Sequence, residues 1–195
     1  MPLLEQLQRF DQDLFTWIHY VAIHPFLDPV MLQLREPLTW VPLYAFVLYW
    51  VIRYRRENAI IFVVLSLATF ALADFGSASI LKPFFQRDRP CHNAELAPII
   101  RNLLDCGGRY GMPSTHSSNH FALATFWFLS TKLMRGRRWG WLWIWAVLVV
   151  YAQVYVGKHY PFDILVGAVF GILVGWLMYL FFRKFVSKSE NKFKK

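Results

Sequence analysis

The sequence predicts an all-α, polytopic membrane helix bundle, and three observations carry that prediction. The 195-residue chain is 56% hydrophobic and 18% aromatic, with 18 Phe, 9 Trp and a mean hydropathy of +0.33. Its apolar residues gather into five runs of bilayer-spanning length, about 17–25 residues each. Its Lys and Arg crowd the ends of those runs, as membrane loops do. High apolar content without a short repeat excludes disordered, collagen-like and low-complexity chains. The length suits a single domain over 1–195. A net charge of +9 raises nucleic acid as a partner. The charge lies in loops beside apolar runs, however, and no nucleic-acid signature interleaves with it, so no nucleic-acid partner is expected.

The segment 1–37 is amphipathic. Over 1–23, Leu3, Leu7, Phe10, Leu14, Ile18 and Val21 recur at helical spacing, opposed by Glu5, Gln8, Arg9, Asp11, Gln12 and Asp13. Such a helix suits the membrane interface. His24-Pro25 breaks it, and 26–37 reads as an interfacial turn or the lower part of the next helix, with a sixth crossing as the alternative. The first residues lack a basic region followed by a small-residue cleavage site, so no signal peptide is expected. The five spans run over 38–54, 59–82, 115–134, 139–157 and 162–184. Trp139, Trp141, Trp143 and Trp145 open the fourth and suit an aromatic belt.

Basic residues set the expected orientation. Arg53, Arg55, Arg56, Lys132, Arg135, Arg137, Arg138, Arg183, Lys184, Lys188, Lys192, Lys194 and Lys195 fall on one side, thirteen of the 21 Lys and Arg. That side is expected to be cytoplasmic, with 185–195 a basic tail touching anionic lipid. The other side holds Arg35, Lys82, Arg87, Arg89, Arg101, Arg109 and Lys158. There the positive-inside pattern fails, and functional charge is the natural explanation.

Three pieces of sequence meet on that second face. Lys82 to Pro90 ends one span, Pro113-Ser114-Thr115-His116 opens the next, and Gly157 to Asp163 joins the last two, with 83–113 as a long loop. Ser114 can cap a helix, and Pro161 suits the first turn of another, which places Asp163 in that turn. Two helix N-termini with Lys82 and Arg89 make an anion site, most simply for phosphate. Two histidines add chemistry: one can attack phosphorus while the other protonates the leaving oxygen, and a carboxylate orients the first. No Cys/His ligand cluster argues for a metal, and no cofactor is implied.

These three pieces resemble the site of the type 2 phosphatidic acid phosphatases, which is shared with vanadium haloperoxidases. The family pattern is Lys, six residues, Arg-Pro; then Pro-Ser-Gly-His; then Ser-Arg, five residues, His, three residues, Asp. Lys82, Arg89 and Pro90 match the first piece, Pro113, Ser114 and His116 the second, His159 and Asp163 the third. The resemblance covers roughly 60–180 and implies His159 as nucleophile, Asp163 as its orienter and His116 as general acid. It further implies that Lys82, Arg89, Ser114 and the Thr115 amide hold the phosphoryl oxygens. Two departures stand out: Thr115 replaces Gly, and Ala152-Gln153 replaces Ser-Arg. Losing a charged donor to a developing oxyanion costs about 2.7–4 kcal/mol. Lys158, Arg87 and Arg109 lie in the same loops and are the candidates to compensate for Gln153.

Cys91 and Cys106 both fall in the 83–113 loop. Bonded in an oxidising compartment, they would close a loop of about 15 residues, worth roughly 3 kcal/mol; two free thiols are the alternative. The resemblance points to a lipid phosphatase in the bacterial cytoplasmic (inner) membrane, its site facing outward and its partners the substrate and membrane lipids. No obligate protein partner is evident. A polyprenyl (undecaprenyl) diphosphate is the favoured substrate, because the compact chain has no added domain for a large headgroup. Phosphatidic acid, phosphatidylglycerol phosphate and lipid A stay open, as do a lipid phosphotransferase and a non-catalytic lipid-phosphate-binding protein.

Overall fold

The computed structural model describes residues 2–101 and 103–192, with residues 188–192 described by their backbone alone. Asn102 of the long loop, Lys194 and Lys195 of the tail, and the side chains of Lys188 and Lys192 lie outside the described residues. The elements are helical: α1 (Leu3–Ala22), α2 (Asp28–Arg35), α3 (Val41–Arg55), α4 (Ala59–Phe75), α5 (Lys82–Phe85), α6 (Thr115–Arg135), α7 (Trp141–Tyr155) and α8 (Pro161–Lys192). A π-helical turn, Gly76–Leu81, joins α4 to α5 without a break. The stretches Pro37–Phe85 and Pro161–Ser187 are long and apolar enough to cross a membrane, with mean hydropathies of 2.2 and 2.4. The first is turned back at Arg55 (φ −151°, ψ 52°), so that α3 and α4 pack side by side.

The surface is apolar, unlike that of a water-soluble bundle, around a core that includes Phe62, Phe126 and Phe182. Ile60, Leu67, Leu165 and Leu173 face outward, while Thr69, Ser117, Ser118, Thr125, Ser130 and Thr131 are buried. Several of these hydroxyls bond back to their own helix, as Thr131 Oγ1 does to the Trp127 carbonyl at 2.8 Å. Apolar side chains outside suit a lipid surround.

The tightest contact in the bundle runs between α6 and α8, and it is made by glycine. A Cβ at Gly167, Gly171 or Gly175 would stand 2.3–2.6 Å from the carbonyl oxygens of Ser114, Ser118 and Ala122. Glycines at four-residue intervals let two backbones approach where no side chain fits. This contact brings the starts of α6 and α8 together, and the Ser114 amide donates to the Asp163 carbonyl at 2.9 Å.

Asp11 and Trp145 depart from expectation. The polar stripe of α1 is not all solvent-facing: Asp11 is fully buried with Phe15 and His19, one turn apart each. The expected apolar stripe points outward, with Leu3 72%, Phe10 58% and Val21 64% exposed. Asp11 can lie on the inward face because it finds the Arg87 guanidinium and the Phe162 amide inside the bundle. Within 26–37, α2 has eight residues and reaches only about 12 Å, less than a bilayer's hydrocarbon thickness. Trp145 leaves the aromatic belt for the core, 3% exposed and stacked 5.7 Å from Trp127.

Candidate active site

The three sequence pieces converge at one end of the bundle. There a cavity of about 360 Å³ is lined by Lys82, Arg89, Thr115, His116, Gln153, Lys158 and His159, together with Arg35, Asp74, Asn119 and His120. The loop that closes it is stitched to itself: Cys91 and Cys106 are bonded, Arg89 N donates to the Arg109 carbonyl, and Gly111 N donates to the Arg87 carbonyl at 2.7 Å. With both sulfurs in the bond, neither is free to join His92 in holding a metal ion.

His159 sits in the turn before α8 and is 3% exposed. Its Nδ1 lies 3.4 Å from Asp163 Oδ2, a long approach of the kind that tightens when substrate arrives. Burial pushes the imidazole down to about 4, against the opposing pull of Asp163, so the ring is neutral and nucleophilic at pH 7. Asp163 is fully buried and heavily committed. It accepts from Tyr160 N at 3.0 Å and pairs with Arg87 Nη1 at 2.9 Å. Ser114 caps α6 by accepting from Ser117 N at 3.4 Å. His116, in the first turn of α6, lines the cavity opposite His159, and its carbonyl accepts from His120 Nδ1 at 2.8 Å.

The cations divide by what they touch. Lys82 spends its three ammonium protons on the carbonyls of Tyr110 (3.3 Å), Gly111 (3.0 Å) and Pro113 (2.8 Å). It therefore clamps the turn before His116 while adding its charge to the cavity. Arg89 gives Nε to Tyr110 O and Nη1 to Cys106 O, which leaves Nη2 for a ligand. Of the three candidates to compensate for Gln153, only Lys158 lines the cavity, tethered to the Asp105 carbonyl.

Arg87 and Arg109 are not among the residues that line the cavity. Arg87 lies behind Asp163, bridging it to Asp11 (Nη2 to Oδ2, 2.6 Å) and stacking 4.3 Å over Tyr160. Arg109 is exposed and bidentate to Asp88 at 2.7 and 3.1 Å.

Sequence reasoning missed Arg35, Asp11, Asp74 and Asn119. Arg35 ends α2 and lines the cavity, its Nε buried and without a partner among the described residues. Its charge is felt at Arg89, Lys158 and His116. Asp11 accepts from Phe162 N at 2.9 Å, capping α8, and burial raises its carboxyl despite Arg87 beside it. The only signals were an arginine against the positive-inside pattern, an acid within a helix, and a lone carboxylate inside an apolar run. Among the described residues, Arg35 Nε, Asn119 Oδ1 and Gln153 Nε2 are buried without partners, and all three residues line this cavity. Buried polar groups are nearly always satisfied, so a polar ligand is the expected partner.

The profile of the PAP2 superfamily matches residues 58–187, which hold all three pieces. A lipid A 4'-phosphatase of Bacteroides thetaiotaomicron is 33% identical over 97% of this chain and 84% of its own. One from Porphyromonas gingivalis is 31% identical over 90% and 74%. The chain belongs to the PAP2 superfamily. It is a membrane lipid phosphatase of the PAP2 type, hydrolysing a phosphoester or diphosphate bond.

Other members of the PAP2 superfamily fill out the comparison. An undecaprenyl-diphosphatase of Sulfolobus acidocaldarius is 28% identical over 90% of this chain and 79% of its own. The fold matches the crystal structure of a transmembrane PAP2 type phosphatidylglycerolphosphate phosphatase from Bacillus subtilis. The TM-score is 0.68 at 20% identity, over 92% of this chain and 87% of that one.

Proposed function

We propose that this PAP2 phosphatase removes the phosphate of a lipid A-type phosphomonoester through a phosphohistidine on His159. One observation carries the reading. The cavity that holds both histidines shares Pro37, Tyr44 and Phe70 with an apolar groove of about 370 Å³ between α3, α4 and α6. A charged headgroup site opening onto an apolar channel fits an amphiphile with a terminal phosphate. Lipid A-type substrates are supported by relatives that match nearly the whole chain.

In this reading His159 Nε2 attacks phosphorus while Asp163 steadies the ring from Nδ1. His116 protonates the leaving oxygen, then takes a proton from the water that hydrolyses the phosphohistidine. Arg89, Lys158, the Ser114 cap and the first amides of α6 face the phosphoryl oxygens, and Lys82 holds the turn that aims them. Arg35 supplies the cation that Gln153 lacks. Five crossings, α3, α4, α6, α7 and α8, put this end of the bundle on the outer face of the cytoplasmic membrane, with α1 at the interface.

A polyprenyl diphosphate is the second reading. Arg35 and Lys158 offer charge for a second phosphate, and undecaprenyl-diphosphatases are among the relatives.

Phosphate release by purified protein tests the proposal, with lipid A, undecaprenyl diphosphate and phosphatidic acid offered in the presence of a chelator. Fastest release from lipid A with water alone is expected. Release only with an added alcohol would make the protein a phosphotransferase, and binding without turnover would make it a lipid-phosphate-binding protein; either overturns the proposal.

A further inference from the structure

Below the phosphate site the cavity changes chemistry from donors to acceptors. Asn119 is 7% exposed and donates Nδ2 to Asp74 Oδ1 at 2.9 Å. A carboxylate only accepts, so that bond fixes the amide and leaves Asn119 Oδ1 as a buried acceptor with no partner. Asp74 Oδ2 takes no hydrogen bond from the described residues. His120 donates Nδ1 to the His116 carbonyl, which leaves Nε2 an acceptor in the neutral ring. All three side chains line the cavity.

Their order along the helices gives the acceptors a depth. Asn119 lies three residues after His116, about 4.5 Å further into the bundle along α6. Asp74 precedes Lys82 by two turns, and Phe70, one turn before Asp74, lines both the cavity and the apolar groove. From outside inward the site therefore offers cations, then acceptors, then hydrocarbon. A carboxylate within a membrane-crossing helix is costly and marks function.

We infer that Asp74, Asn119 and His120 form a specificity site for the group that carries the phosphate, and that this group is a sugar bearing hydroxyl or amide N–H donors. The inference deepens the phosphatase reading and rests on it. A phosphorylated sugar joined to acyl chains brings donors between its phosphate and its hydrocarbon, where the three acceptors stand. A prenyl diphosphate brings a second anion to the same depth, facing the Asp74 carboxylate. Phosphatidic acid brings only ester oxygens, which cannot donate. A site built to hydrogen-bond a substrate donor discriminates strongly against an analogue lacking it, because its own polar groups are then left unpaired.

The test measures kcat and KM of the purified full chain for a 4'-phosphorylated lipid A and for phosphatidic acid, in wild type, Asp74→Asn and Asn119→Ala. The ratio of kcat/KM for the glycolipid to that for phosphatidic acid should fall at least tenfold in each variant, mostly through KM. Equal losses on both substrates, or an unchanged ratio, would overturn the inference and leave the phosphatase reading standing. Absence of turnover by the wild type would overturn both. A variant-free measurement guards against misfolding. Glucosamine 4-phosphate should inhibit the wild type at least tenfold more tightly than ethyl phosphate, and equal inhibition would overturn the inference.

Discussion

α6 and α8 meet through their backbones, whereas α1 and α2 reach the site through side chains. The glycines of α8 let carbonyls of α6 approach so closely that His116 and His159 are held by two rigid helices and the turn between α7 and α8. Asp11 of α1 instead reaches Arg87 and the start of α8, and Arg35 of α2 extends into the cavity. α2 is itself pinned by Asp28, which accepts from Tyr155 Oη at 2.7 Å and pairs with Arg101 at 2.5 Å. The difference teaches a division of labour. Groups that break and form bonds need fixed geometry, while charge acts over several ångströms and can be supplied from an appended segment.

The largest effect is expected in the rigid half. His159→Ala should abolish phosphate release, and Asp163→Asn should lower kcat about 10⁴-fold, as when an orienting carboxylate is neutralised in place. Retained activity in His159→Ala would break the assignment of that half to chemistry.

Asp11→Asn sharpens the comparison from the other side. Removing its charge frees Arg87 to swing and shifts Asp163 by a fraction of an ångström, so kcat should fall about 10- to 100-fold with KM little changed. No effect on kcat would mean that α1 is only a membrane anchor.

The pH profile probes how dry the rigid half is. Burial holds His159 near 4 rather than the ordinary 6.5. The nucleophile stays neutral as pH falls from 7, and kcat/KM should be lost only as pH drops through about 4. An acid limb near 6.5 would mean that water reaches the ring.

Gly171→Ala should have the smallest effect on chemistry. It forces a Cβ to within 2.3 Å of the Ser118 carbonyl and should cost about 1–3 kcal/mol of stability, seen as a lower Tm.

Legibility followed the same division. The meeting of His116, His159 and Asp163 at one end of the bundle was readable because the three pieces keep a fixed spacing and charge asymmetry brought them to one face. Cys91 and Cys106 were readable because both fall in one loop. The close α6–α8 contact had a signal in the four-residue glycine spacing, but spacing alone does not say which helix it faces. Arg35 and Asp11 had no such pattern. An arginine at the end of a short amphipathic segment looks the same whether it meets lipid headgroups or a cavity. For Arg87 and Arg109 the converse holds: loop position does not reveal that they pair with Asp11, Asp163 and Asp88.

The central claim, that the appended half completes the phosphate site, is tested most directly by exchanging the cation between α2 and α7. Arg35→Ala should lower kcat/KM about 10²- to 10³-fold, the scale of a lost oxyanion donor. Gln153→Arg should lower activity in the wild type, where Arg35 already occupies that side of the cavity, and should raise it in the Arg35→Ala background. That reversal of sign is the predicted result of measuring phosphate release by the four proteins. Wild-type activity in Arg35→Ala, or a gain from Gln153→Arg in both backgrounds, would contradict it.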